Sequence, residues 1–168
     1  RYIEDGDCYQ ANLSQAFSGR FCGHPWLAFE KLTAANPTPY SAFLSVGDAS
    51  ILSISPERFL KIDQGVVETS PIKGTRPRGS SPESDIKLAN ELQASEKDRA
   101  ENLMIVDLLR NDLSLHAEAG SVQVEQLFAL ESYANVHHLV SHIKASLKPG
   151  ISPLQALFDA FPGGSITG

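Results

Sequence analysis

The chain has 168 residues, 42% of them hydrophobic and 20% charged, a balance that suits a soluble globular domain with a core of its own. A formal net charge of −6 leaves no basic footprint and argues against a nucleic-acid partner, and the apolar runs stay well below the roughly 20 residues of a membrane span. The two cysteines, Cys8 and Cys22, lack a CxxC spacing, so a reduced pair in a cytoplasmic protein is expected. In chain order, Ala16 to Phe21 reads as a strand. Pro25 opens a helix carrying Trp26, Leu27, Phe29 and Leu32 that closes at Asn36-Pro37. Tyr40 to Val46 and Ile51 to Ile54 read as strands joined near Gly47-Asp48. Phe59 to Ile62 and Val66 to Thr69 form a hairpin about Asp63-Gln64-Gly65.

The proline, glycine and serine content of residues 71–82 predicts a loop. Helices follow over 83–93 and 97–113, the second apolar almost all round between Leu103 and Leu109 and therefore expected to be buried. Residues 122–130 and 136–147 read as strands, although a helix also suits the latter, and residues 153–161 form a short helix with proline at its start. Strand runs mixed with helix runs, without βα alternation, predict an α+β layered sandwich with a largely antiparallel sheet. The chain opens at Arg1 and stops in the glycine-rich run Phe161 to Gly168, so a truncated fragment is expected.

Four places carry residue types suited to chemistry. A hairpin turning at 63–65 brings Pro56-Glu57 and Pro71-Ile72-Lys73 to one open end, with Glu57 opposite residue 71 and Lys73 on the diagonal, about 7–8 Å away. An acid and an amine converging there could serve as general acid and nucleophile, or form a plain surface ion pair. Arg76 and Arg78 beside Lys73 would favour a neutral amine, and Gly74 would let a ligand approach the backbone. On the second long helix, Glu101, Ile105, Leu108 and Asp112 fall on one stripe, where a carboxylate needs a cationic partner. Mg²⁺ or a neighbouring arginine, Arg99 or Arg110, would meet that need. In a strand, His138 shares a face with Val136, Val140 and His142 while His137 points the other way. In a helix, His138 and His142 would have zinc-ligand spacing, but no HExxH pattern accompanies them. The run Gly163 to Gly168 could present N–H groups to an anion or form an ordinary turn.

Taken together, the segments Gly6 to Leu13, Ser55-Pro-Glu-Arg-Phe59, Pro71-Ile-Lys-Gly-Thr75, Lys97 to Leu103, Val106 to Asp112, Val136 to Val140 and Phe161 to Gly168 resemble the chorismate-utilising enzymes. Within them they are similar to the branch that forms aminodeoxychorismate. Relatives that make anthranilate or isochorismate typically carry alanine where Lys73 stands, and isochorismate- and salicylate-forming relatives carry a general-base lysine where this chain has Gln10. The resemblance implies that residues 1–168 are part of a chorismate-binding catalytic domain, the ends of which lie outside the chain. It implies an amino transfer in p-aminobenzoate and folate biosynthesis. Lys73 would attack the ring at C2, Glu57 would protonate the departing C4 hydroxyl, and His138 would be the active-site histidine. Gln10, Gly74, Thr75, Thr167 and Gly168 would contact chorismate. Glu101 would bind Mg²⁺ together with ligands outside the chain, and a glutamine amidotransferase subunit would supply ammonia. Asn36 to Ser41 resembles a tryptophan-pocket segment, which implies an effector role for Pro39, Tyr40 and Ser41. Anthranilate synthase component I, or a fragment that only binds an effector or partner, are the competing readings.

Overall fold

The computed structural model describes residues 2, 4–8 and 13–164, and the chain divides into two compact units, Arg1–Ile54 and Ser55–Gly168. In the first unit, helix α1 (Pro25–Ala35) starts where the His24 imidazole accepts the Trp26 N–H at 3.2 Å and Pro25 presets the first turn. Strands β1 (Ala42–Val46) and β2 (Ala49–Ser53) pair antiparallel across the two-residue loop Gly47-Asp48, with Gly47 at φ 58°. Trp26, Phe29 and Phe43 pack in an aromatic cluster with ring centroids 5.3 to 5.7 Å apart. Residues 13–22 form no strand, so the one expected over Ala16 to Phe21 is absent, and Phe17 and Phe21 are exposed. Without a neighbouring strand to satisfy its backbone, β propensity alone does not make one.

The second unit holds a five-stranded sheet, all of whose pairings are antiparallel. Its strands are β3 (Lys61–Asp63), β4 (Val66–Thr69), β5 (Ile72–Pro77), β6 (Gln123–Ser132) and β7 (Val136–Ser146). The β3–β4 hairpin turns at Gln64-Gly65, both at positive φ (48° and 78°), the conformation a tight two-residue hairpin requires. Strands β4 and β5 run one after the other along the same side of β7: Val66 to Thr69 pair with Ser146 to Ile143, and Ile72 to Pro77 with Val140 to Val136. Residues 66–77 are thus one broken strand, and β6 lies on the other side of β7. The predicted loop at 71–82 is corrected here, because its first half is β5. Gly74 at φ 91° and a register shift between Ile72 and Thr75 make a bulge, which hides the alternation that would mark a strand.

Helices α2 (Pro82–Ala94) and α3 (Glu96–Ser114) are capped by Ser81 and Ser95, whose hydroxyls accept the Ser84 and Asp98 N–H groups. The core joins Ile105, Val106, Leu109 and Leu113 of α3 to Val67 of β4 and Ile143 and Ala145 of β7. On β7, residues 137, 139, 141, 143 and 145 are all buried, the period-two pattern of a strand with one covered face. That settles strand over helix for this segment. Helix α3 is not buried all round as expected: Leu103 and Met104 are 44% and 40% exposed, because the helix covers the sheet with one stripe only. Helix α4 (Pro153–Asp159) completes the unit, which is an α+β layered structure.

Candidate active site

Glu57 precedes β3 on a turn fixed by its own neighbour. The Ser55 hydroxyl donates to the Glu57 carbonyl at 2.9 Å and accepts the Glu57 N–H at 3.3 Å. The Glu57 side chain takes a place that a strand partner would otherwise fill, its Oε1 accepting the Ile72 N–H at 3.0 Å. One residue later the bulged β5 presents Lys73, Gly74 and Thr75. These three, with Pro56, Glu57, Ile72, Glu101 and His138, line one cavity of about 270 Å³. A second, more apolar cavity of about 510 Å³ lies beside it and shares Glu57, with Phe59, Leu109, Phe161 and Gly163 in its wall. In the smaller one an amine, two carboxylates and an imidazole converge.

The arginines near Lys73 do not act as expected from the sequence. Arg76 pairs with Asp98 at 3.0 Å and Arg78 with Asp85 at 2.6 Å, so both charges are answered by carboxylates on the helices. Gly74 packs so closely there that an added Cβ would lie 2.9 Å from Asp98 Cβ and from Leu92 Cδ1. Glu101 reaches the cavity because its neighbour Asn102 locks α3 to the sheet. Asn102 is fully buried, donates to the Leu139 carbonyl at 3.2 Å, and accepts the Ser141 hydroxyl at 2.6 Å.

His138 projects from the uncovered face of β7 and shares a 2.9 Å hydrogen bond between its Nδ1 and Thr75 Oγ1. Burial lowers its pKa below the ordinary imidazole value, against the opposing pull of the Glu131 and Glu57 carboxylates. His137 faces the covered side, buried, with Nε2 at 2.9 Å from Asp85 and Nδ1 at 2.7 Å from the Ser132 hydroxyl. The two adjacent imidazoles therefore have separate surroundings. Only His138 meets the cavity.

The sequence pattern of the chorismate binding enzymes matches this chain over residues 1–168. The chain belongs to that family. Among curated relatives, the chain is similar to aminodeoxychorismate synthase component 1 of Salmonella typhimurium, 53% identical over 99% of this chain and 37% of the relative. It is similar to an anthranilate synthase component 1 of Haloarcula marismortui, 45% identical over 100% of this chain and 34% of that protein. Among solved structures, anthranilate synthase component I from Streptococcus pneumoniae superposes with a TM-score of 0.74 at 35% identity, covering 88% of this chain and 32% of that one. The chain thus spans little more than a third of the relatives it matches.

The sequence-predicted residues Glu57, Lys73, Gly74, Thr75, Glu101 and His138 are brought together in one cavity. Gln10, Thr167 and Gly168 lie outside the described residues. Pro39 and Tyr40 form a turn of the first unit, between α1 and β1, and the Ser41 hydroxyl bonds Thr38 Oγ1 at 2.7 Å. For a metal, Glu101 supplies one hard oxygen donor, and Mg²⁺ takes one or two carboxylates while keeping several waters. Among the described residues no three His, Cys, Asp or Glu side chains gather into a metal site. Sequence reasoning missed Glu131, Tyr133 and Ser70, which surround His138 and its strand. Glu131 could have been found by pairing β6 with β7, because the register sets it directly opposite His138.

Proposed function

We propose that the full-length protein aminates chorismate to 4-amino-4-deoxychorismate, with Lys73 as nucleophile. The observation that carries this reading is that Lys73, Glu57 and His138 line a single cavity. Lys73 Nζ, as the free amine, bonds to ring C2, both conjugated ring double bonds move one position, and the C4 hydroxyl departs as water with a proton from Glu57. Ammonia then bonds to C4, both double bonds return, the Lys73 amine leaves C2, and the new C4 ammonium returns a proton to Glu57. Glu57 suits the acid role because its backbone is fixed by Ser55 and one carboxylate oxygen by Ile72. His138, steadied by Thr75, supplies a hydrogen-bonding group beside the reacting ring. Glu101 would hold Mg²⁺, which when bound neutralises a substrate carboxylate.

On this reading Gln10, Gly74, Thr75, Thr167 and Gly168 contact chorismate, both units belong to one catalytic domain, and the protein works in the cytoplasm. A glutamine amidotransferase subunit delivers the ammonia. Pro39, Tyr40 and Ser41 form part of a tryptophan pocket. Lysine at position 73, where anthranilate-forming relatives typically carry alanine, supports amination at C4. The likeness to the Haloarcula and Streptococcus anthranilate synthases supports a second reading, anthranilate formation. Incubating the full-length protein with chorismate, Mg²⁺ and ammonia separates the two: aminodeoxychorismate is expected, whereas anthranilate with pyruvate would replace the first reading by the second.

A further inference from the structure

We infer that Glu131 is a positioning residue of this site, the middle link of a hydrogen-bonded chain from Tyr133 through Glu131 and His142 to Ser70 that holds His138 and the strand break before Lys73 in fixed relation. The inference deepens the amination reading and rests on it for its kinetic consequence. Glu131 stands opposite His138 in the β6–β7 register. The Tyr133 hydroxyl donates to Glu131 Oε2 at 2.5 Å, and the Tyr133 ring lies edge-on to the His138 ring with centroids 5.7 Å apart. The other carboxylate oxygen, Oε1, is 3.1 Å from His142 Nε2, and His142 Nδ1 is 3.0 Å from Ser70 Oγ. Ser70 belongs to the break between β4 and β5, where the Pro71 carbonyl accepts the Ser141 N–H at 3.2 Å.

The Glu131 carboxylate therefore joins β6 to β7 and, through His142, to the break between β4 and β5. At one end it anchors the ring that walls His138. At the other it reaches the bend three residues before Lys73. The charged and titratable groups near His138 are Glu131 from β6, Glu57 from the segment before β3, Lys73 from β5, Glu101 from α3, and His142 on its own strand. Of these, Glu131 and Glu57 favour the protonated imidazole. On the amination reading Glu57 and Glu101 have parts of their own, so Glu131 is the carboxylate left to position His138. An ordinary surface ion pair with His142 would contribute little and leave His138 untouched.

The test uses full-length protein carrying Glu131→Gln, which keeps the shape and removes the charge, and Glu131→Asp, which keeps the charge. In ligand-free protein with labelled histidine, the NMR titration of His138 should move to lower pH by about half a unit in Glu131→Gln and much less in Glu131→Asp. With chorismate, Mg²⁺ and ammonia, kcat should fall about tenfold in Glu131→Gln with KM changed less than about twofold, and Glu131→Asp should recover most of it. An unmoved His138 titration in a folded Glu131→Gln protein overturns the inference. Should that variant not fold, Tyr133→Phe serves instead: shifted His138 ring resonances are expected, and unchanged ones overturn the inference. Absence of any aminodeoxychorismate from the parent protein would remove the amination reading while the NMR arm still decides the role of Glu131.

Discussion

Glu57 and Lys73 reach the cavity by different means, and that difference sets what their substitution should do. Glu57 does two things, accepting the Ile72 N–H and presenting a carboxyl group, and Glu57→Gln retains the first while removing the second. Aminodeoxychorismate formation by the full-length variant should drop by about 100-fold or more with an unchanged melting temperature. A melting temperature that falls along with the rate would mark Glu57 as structural instead. Lys73→Ala should be inactive at every ammonia concentration, because the adduct cannot form; undiminished turnover would remove the covalent route. Gly74 separates fold from chemistry in another way. At φ 91°, with Asp98 and Leu92 against the place a Cβ would take, Gly74→Ala should destabilise the protein by about 1–3 kcal/mol in denaturant unfolding.

At the scale of elements, the helices were legible and the strand bearing Lys73 was not. Serine caps, Pro82 in a first turn and the apolar stripe of α3 mark both long helices locally, within a residue or two of their ends. Strand β5 contains Gly74, Pro77 and three charged or hydroxylic side chains, so its β structure comes from β7, more than 60 residues later in the chain. Its cavity lining was foreseen because a hairpin near residue 64 brings Glu57 and Lys73 to one end. The turn is Gln64-Gly65 and not 63–65, so the register is one residue off and Glu57 meets Ile72 instead of residue 71. Asn102 tests the docking of α3 on β7. Asn102→Leu strands the Ser141 hydroxyl and the Leu139 carbonyl in the core, and should cost about 1–3 kcal/mol of stability. Asp85 ties α2 to the sheet, and the Arg78 guanidinium and the Gly79 N–H hold its carboxyl well below the usual carboxylate range. A depressed pKa in the fold means that this contribution is complete above the unfolded value of about 4 and fades as pH falls toward the folded one. The stability difference between the parent and Asp85→Asn should therefore shrink on acidification from pH 5 to about 2. A difference that stays constant over that range would assign the effect to packing.

For the whole molecule, the apolar surface left open is informative. Leu154, Phe158 and Phe161 are 65%, 68% and 60% exposed, and β3 and β6 are edge strands among the described residues. Produced alone, the 168-residue chain should self-associate, with a sedimentation coefficient that rises with concentration. A monomer at all concentrations would show that these surfaces are harmless by themselves. One feature of the topology reaches further. Strand β7 is the partner of β4, β5 and β6, and it is the last of the five to be made. During synthesis the nascent polypeptide carries β5 for some 60 residues before the ribosome delivers the strand that pairs with it. A polypeptide interrupted before Val136 would leave β5 and β6 without a partner and β4 with β3 alone, exposed edges that invite capture by chaperones.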